Sequence, residues 1–423
     1  MKHLFLGVLL VLLVGCVAYE PRPIDWSEEL AQWTNAVSRL ELSLEDVKVR
    51  ARVMSAELNA LRLEYANSKK VADSSGWWND PSLDVDLMRI LRAPEHPFTG
   101  GATVSLTLPL TGIPALEEKA AQFYAEEAYW KIVDAEIRVA TDAAVDALTS
   151  GELKRLEAEI ETVLAEDTYT NALSVARRLV EVGEFPRTDL LTLEGERREF
   201  RQTLRELRHE RLDAEKSLRQ VLRVVPGCEI ALQAEDWTIS TPTHSYTLLD
   251  FTNAPAVRAA VERLSGGETE LQIEIARQYP ELSLGPSYTH EDGYNRIGIT
   301  AGLTLPLWNR NRVGIATKTG GRDAARQAAV EAWRDSVLAW EALQREREVA
   351  HRPADLPRVD PSEREGVARL YRAGEMTAGD YVGIVHRNLF ATIAVARRRI
   401  DVRKLALKMQ GVCEGLEKKD ARK

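Results

Sequence analysis

Four stretches of this chain alternate apolar and polar residues with period two. Leu83, Val85 and Leu87 alternate with Ser82, Asp84 and Asp86, which predicts a strand over about 82–91. Ala102, Val104, Leu106 and Leu108 alternate with Thr103, Ser105 and Thr107, predicting a second over about 102–110, after a turn-rich segment from Ala93 to Gly101. Leu282, Leu284 and Tyr288 mark a third over about 281–290. Asp292-Gly293 reads as a hairpin turn, and Ile297, Ile299, Ala301, Leu303 and Leu305 mark a fourth over about 296–307.

Between these stretches the apolar spacing changes to three and four. Leu30, Trp33, Val37, Leu40, Leu44, Val47, Ala51, Met54, Leu58, Leu61 and Tyr65 form one heptad-like stripe, predicting a helix from Trp26 to about Asn67 that lies against a neighbouring helix. Residues 113–182 read as almost unbroken helix, weak only at Ser150-Gly151. At 1.5 Å per residue such a helix would reach roughly 105 Å, the length of a stalk or tube. It stops at Gly183, and a return helix begins near Pro186 and runs to about Arg223.

The pattern occurs twice. Leu106-Thr107-Leu108-Pro109-Leu110 returns as Leu303-Thr304-Leu305-Pro306-Leu307. The turn Gly183-Glu184, with Asp189 six residues after the glycine, returns as Gly374-Glu375 with Asp380. The division that follows is 26–225 as a first repeat with its tip at about 183–188, 226–253 as a connector, 254–412 as a second repeat with its tip at about 374–379, and 413–423 as a tail. Pro353, Pro357 and Pro361 interrupt the second hairpin where the first is continuous.

The polar partners in the four strands are mostly small hydroxyls and glycines. One face suited to lipid, one to water, and a length near ten residues are the marks of a membrane barrel strand. Two hairpins on a soluble helical protein are the plainer alternative. Four strands separated by so much helix cannot close a barrel alone, and lipid does not tolerate an open sheet edge, so strands in a membrane require several chains to pool them.

Composition then narrows the function. The 423 residues are 44% hydrophobic and 29% charged, and the mean hydropathy of -0.27 is not that of a bundle of lipid-embedded helices. A net charge of -9 argues against a nucleic-acid partner. The three cysteines and seven histidines are scattered, so no metal site and no cofactor site is read. There is no GxxxxGK[ST], GxSxG, HExxH or GxGxxG, and the chain does not read as an enzyme. At the start, basic Met1-Lys2-His3 precedes an apolar run from Leu4 to Val14, a secretory signal over 1–15. It ends Leu13-Val14-Gly15-Cys16, which resembles a lipobox, making Cys16 a candidate diacylglycerol anchor and 16–25 a lipidated linker; Val17 is not the aspartate that retains such proteins at the inner membrane. An ordinary signal peptide with a chance cysteine is the alternative.

Taken in order, these motifs resemble the outer-membrane efflux protein family, the TolC-like channels, most of all the lipoprotein outer-membrane factors of drug and heavy-metal exporters. Pro306-Leu307-Trp308-Asn309-Arg310-Asn311-Arg312-Val313-Gly314 is similar to the family's strand-to-helix passage, with Val313 inserted; Thr111-Gly112-Ile113-Pro114 stands in its place in the first repeat. The resemblance implies a homotrimer in the outer membrane of a Gram-negative bacterium. Its membrane β-barrel is closed by four strands from each chain, and an α-helical barrel extends below into the periplasm. It also implies a periplasmic adaptor docking on the tips, an inner-membrane pump, and passive conduction of drugs or metal cations. A type I protein-secretion duct shares this fold. A lipid-anchored periplasmic coiled-coil adaptor is a further alternative, which the duplicated hairpin and four membrane-type strands disfavour.

The resemblance also assigns candidate residues. Val182, Gly183, Glu184, Ala373, Gly374 and Glu375 would contact the adaptor, while the two glycines are helix ends on any reading. Asp189 and Asp380 would ring the tip aperture in a trimer, or Asp380 would simply cap a helix from Thr377. Tyr371 matches a position that helps hold the aperture closed, or packs a helix. Arg310 and Arg312 would anchor the junction of barrel and tube, or stand in solvent or on lipid headgroups. Cys228 and Cys413 each follow a return helix, and a bridge between them would tie the repeats together.

Overall fold

The computed structural model describes residues 19–34, 39–89, 98–233, 239, 241–291, 293–351 and 361–418. The chain forms two units, one of residues 1–41 with 224–231 and one of 42–223 with 232–423. The smaller contains helix α1 (Trp26–Thr34). Its strand β1 (Arg39–Leu42) pairs with β4 (Glu229–Leu232) in a two-stranded sheet.

The larger unit begins with α2 (Leu44–Met54) and α3 (Ala56–Ser74). The continuous helix expected from Trp26 to Asn67 is therefore broken. Strand β1 interrupts it, and Ser43 then starts α2 with a capping box: the Asp46 N–H donates to Ser43 Oγ at 3.2 Å and the Ser43 N–H to Asp46 Oδ2 at 3.0 Å. Ser55, extended at φ -56° and ψ 126°, starts a new helix one residue after the last. From Leu44 onward the predicted stripe does its packing, since Val47, Ala51 and Leu58 are buried and α2 and α3 lie on the long helix α4 (Ile113–Ala165), whereas Leu30 in α1 is exposed.

Helix α4 passes through Ser150-Gly151 without interruption but ends at Glu166, where the sequence reading had it continue. The backbone there is extended and α5 (Asp167–Glu181) begins on the next residue. Its 53 residues span roughly 80 Å. Helix α6 (Arg187–Val221) returns beside it. The second half runs α7 (Pro255–Ala276), α8 (Arg312–His351), α9 (Pro361–Arg372) and α10 (Ala378–Glu417). α10 thus continues through residues expected to be a tail. Pro353 and Pro357 lie outside the described residues, as do the leader and Cys16.

The four expected strands are β2 (Ser82–Arg89), β3 (Phe98–Leu108), β5 (Leu282–Glu291) and β6 (Tyr294–Leu303). They form one antiparallel sheet in the order β2-β3-β5-β6. β3 starts four residues earlier than expected and takes Gly100 and Gly101 into the ladder, opposite Leu87 and Asp86. The registers Val85↔Ala102↔Tyr288↔Ile297 place apolar residues on one face, and Asp84↔Thr103↔Ser287↔Gly298 place polar ones on the other. Leu83, Val85, Leu87, Ile297 and Ile299 are all more than 60% exposed.

The two copies of the pentapeptide sit differently. β3 runs through Leu108, whereas β6 ends at Leu303, three residues before its proline. The prolines nonetheless make the same turn, with the Leu110 N–H donating to the Leu108 carbonyl and the Leu307 N–H to the Leu305 carbonyl, both at 2.9 Å. After Pro306 the chain turns through Arg310 and Asn311, both at positive φ. Asn311 Nδ2 donates to the Glu274 carbonyl at 2.9 Å and fastens the start of α8 to the end of α7. Arg310 and Arg312 remain exposed.

Candidate functional site

Each hairpin tip is built by a glycine in the left-handed region, Gly183 at φ +81° and Gly374 at φ +78°. The hydrogen bonds are the same in both. The Gly183 N–H donates to the Val180 carbonyl at 3.2 Å and the Glu184 N–H to Leu179 at 2.8 Å. The Gly374 N–H donates to Tyr371 and the Glu375 N–H to Leu370, both at 3.0 Å. This is a Schellman ending, in which two terminal carbonyls are satisfied by the turn itself.

The tips lie side by side. Phe185, just past the first, covers Gly379 at the start of α10 so closely that a Cβ there would come within 2.7 Å of its ring. Arg372 Nε donates to Thr168 Oγ1 at 3.3 Å across the two hairpins. Val182, Gly183, Glu184, Ala373, Gly374 and Glu375 are exposed together, with Val182 at 70%. The two turns form a small knob with an apolar residue and two carboxylates.

Of the residues proposed for an aperture, Asp380 has a local partner. Thr377 Oγ1 donates to its carboxylate at 2.6 Å, and its own N–H donates to Thr377 Oγ1 at 3.2 Å. Thr377 is therefore the cap of α10, and the Asp380 carboxylate holds its hydroxyl in place. Asp189 differs, because its helix starts after Pro186 and has no side-chain cap; among the described residues its carboxylate accepts from the neighbouring Thr188 hydroxyl at 3.2 Å. Both aspartates are exposed. Tyr371 is half-buried and its ring stacks on Tyr381 at 4.9 Å, so it fixes α9 to α10. Burial raises its hydroxyl above the usual range, keeping it neutral.

The possible bridge between Cys228 and Cys413 is not formed: both side chains are buried and neither is in a disulfide. Cys413 sits in a cluster with Phe251, Trp340, Leu405 and Met409, where burial pushes its thiol up and away from the reactive thiolate.

Above the tips lies a feature that sequence reading missed. His386 of α10 is 1% exposed. Its Nε2 lies 2.8 Å from the Tyr169 hydroxyl of α5, and its Nδ1 3.3 Å from Glu196 of α6, with Phe200 of α6 stacked at 6.2 Å. A neutral imidazole satisfies both neighbours when Nδ1–H donates to Glu196 and Nε2 accepts from Tyr169. Burial holds His386 below the ordinary imidazole range, against the pull of Glu196 and with the push of Arg197. Tyr169 also faces Arg197 and Arg201.

The unfolded chain therefore binds a proton below about pH 6.5 that the native state resists, so this contribution is whole above that pH and is lost on acidification below it. Asp146, pushed up to about 6 by burial and by Asp142, works with the opposite sign. The test is thus a comparison. Melting temperature should fall less between pH 7 and 5 in His386→Gln than in the parent. Equal slopes would remove His386 from the acid response.

No family model matches the sequence, and no curated protein matches it. Solved structures do match in fold. A membrane protein from Pseudomonas aeruginosa superposes with a TM-score of 0.69 at 15% identity, over 94% of this chain and 96% of that one. The Campylobacter jejuni CmeC outer membrane channel gives 0.67 at 13%, over 96% and 92%. The open state of the Neisseria gonorrhoeae MtrE outer membrane channel gives 0.59 at 14%, over 90% and 91%. At such identities the likeness is one of fold, and it extends over nearly the whole chain.

Proposed function

We propose that this chain is an outer-membrane channel, the exit duct of a tripartite efflux system. One observation carries the reading. A four-stranded sheet exposes a largely apolar face, interrupted by His290 and Asn295 near one end, backs it with hydroxyls, glycines and the acids Asp84 and Asp86, and leaves β2 and β6 unpaired on their outer sides among the described residues. In water such a face and two open edges are unstable; in lipid the face is satisfied and the edges demand copies of themselves. Three chains would close a 12-stranded barrel in this reading, each adding one helical sector to a periplasmic tube, and an internal duplication accounts for the matching halves. The fold shared with solved outer membrane channels supports it.

In this reading Cys16 carries a lipid anchor in the outer membrane of a Gram-negative bacterium. Val182, Gly183, Glu184, Ala373, Gly374 and Glu375 receive a periplasmic adaptor, and an inner-membrane pump supplies the energy. Asp189, and Asp380 beyond its capping bond, would ring the tip aperture and favour cations, with the Tyr371–Tyr381 stack holding it narrow. Transport is passive and covers small molecules or metal cations. Purified in detergent, the protein should have three times the chain mass and give discrete conductance steps in planar bilayers. A non-conducting monomer overturns the reading.

A further inference from the structure

Helix α10 ends where α7 begins: a Cβ on Gly415 of α10 would lie 3.3 Å from Pro255 Cδ at the start of α7. Helices α4 and α8 each pack on both of them. The four helices enclose at this joint a cavity of about 390 Å³. That volume falls within the range of about 300–1,000 Å³ typical of sites for drug-sized molecules.

Most of the wall is apolar. Ile137 of α4, Leu343 of α8, Val412 and Leu416 of α10 and Phe251, just before α7, line it. Phe251, Leu343, Val412 and Leu416 also belong to the packed cluster around Trp340 and Met409. This side of the cavity is therefore fixed by the core rather than left by loose packing.

The charged groups come from α4 and α10. Asp134, Arg138 and Asp142 line the cavity one helical turn apart, and Lys408 is the charge from α10. Asp134, Asp142 and Lys408 make no hydrogen bond or ion pair among the described residues. Arg138 is already engaged, because it donates to Glu57 of α3. Three carboxylates then stand against two cations, which leaves a negative charge in excess. Lys408 is exposed and keeps its charge in water, whereas Asp134 is half-buried. Burial raises the Asp134 carboxyl above the usual range, against the pull of Arg138. A carboxylate held out of water without a donor is costly, and a cation beside it offsets that cost.

We propose that this cavity binds an organic cation with an aromatic, apolar body, the body lying against Phe251, Leu343 and Leu416 and the positive charge at Asp134. An anion of the same size meets the excess negative charge and is rejected. The proposal goes beyond the channel reading, because a passive duct needs no binding site among its helices.

The probe is ethidium, added to the full chain purified in a neutral detergent and read by fluorescence anisotropy against detergent alone. Saturable binding is expected. Asp134→Asn should weaken it at least about tenfold, through loss of a charge-assisted contact. Ala339→Phe, at an exposed position of α8 that lines the cavity, should block it. Asp335→Asn, exposed on the same helix but outside the cavity, should bind like the parent. The anion anilinonaphthalene sulfonate should not displace ethidium. The native protein is tested alongside by photolabelling with ethidium monoazide and peptide mass spectrometry. Labels that excess ethidium prevents should fall within 134–142, 336–343 or 408–416. The site is overturned by unsaturable binding, by equal affinity in Asp134→Asn and the parent, by displacement with the anion, or by protected labels confined to other segments. None of these results touches trimer mass or conductance, so the channel reading stands or falls separately.

Discussion

Replacing Gly285 by valine is expected to abolish assembled channel. The residue lies in β5, and a Cβ there would overlap the Val104 carbonyl oxygen and stand 2.8 Å from Ser105 Cα. These are backbone atoms of β3, which is held on its other side by β2 along eight residue pairs. The approach is this close because the ladder is interrupted here: Thr103 pairs with Ser287 and Leu106 with Leu284, while Gly285 and Pro286 make no such pairs. Pro286 has no N–H to give, so the strands meet through the space that glycine leaves. A side chain would force the central pair of the sheet apart at a cost above about 4 kcal/mol, the range of severe core disruptions. Trimer and bilayer conductance should both be lost from the detergent-purified protein. Gly298→Ala is the control, since its Cβ would meet only the rotatable Ser287 hydroxyl at 3.3 Å. A Gly285→Val protein that still assembles and conducts would show that β3 and β5 do not approach as described.

The sheet was legible because its signal is local. Alternation of Leu83, Val85 and Leu87 against hydroxyls and acids repeats within one strand, and the same phase continues across all four in the observed registers. Its ends were less legible. Gly100-Gly101 reads as loop chemistry, yet serves a close strand approach, with a Cβ on Gly101 only 3.3 Å from the Tyr288 carbonyl. Helix breaks were misread for a related reason. The apolar stripe through α2 and α3 keeps its phase because both helices cover α4, so periodicity alone hides the caps at Ser43 and Ser55. The end of α4 at Glu166 has neither proline nor glycine, so no residue that forbids helix announces it in the sequence.

Within the site, the tips could be read because glycine at positive φ and the acid after it recur with the same spacing. His386 could not. Its partners come from α5 and α6, the farther of them 217 residues away in the chain, and nothing near it in sequence distinguishes it from an ordinary helix residue. Arg372 and Thr168 were invisible for the same reason. What sequence shows well here is chemistry that a short segment completes by itself, and what it hides is chemistry assembled from several helices.

Glu152 is the strongest case of the second kind, and its loss is expected to loosen the middle of the two hairpins. Its side chain is 4% exposed within α4 and accepts from Arg399 and Arg403 of α10, both at 2.7 Å, with Arg155 at 3.6 Å. One buried carboxylate thus joins the first hairpin to the second beside Leu148, Leu153 and Leu156. Removing one partner of a buried pair costs about 3–5 kcal/mol, because the remaining charge is stranded. Here Arg399 is half in solvent and can rehydrate, while Arg403 is not, so the lower end applies, about 3 kcal/mol. Expressed as local opening, that is roughly a hundredfold faster amide exchange across the contacting turns of α4 and α10 in Glu152→Ala. The tips, held farther along the same apolar cluster by Tyr169, Phe200 and Tyr381, should exchange at near the parent rate. Arg399→Ala should shift exchange far less, because Glu152 keeps Arg403. Unchanged exchange around residues 148–156 in Glu152→Ala would mean the hairpins are held together by their apolar contacts alone.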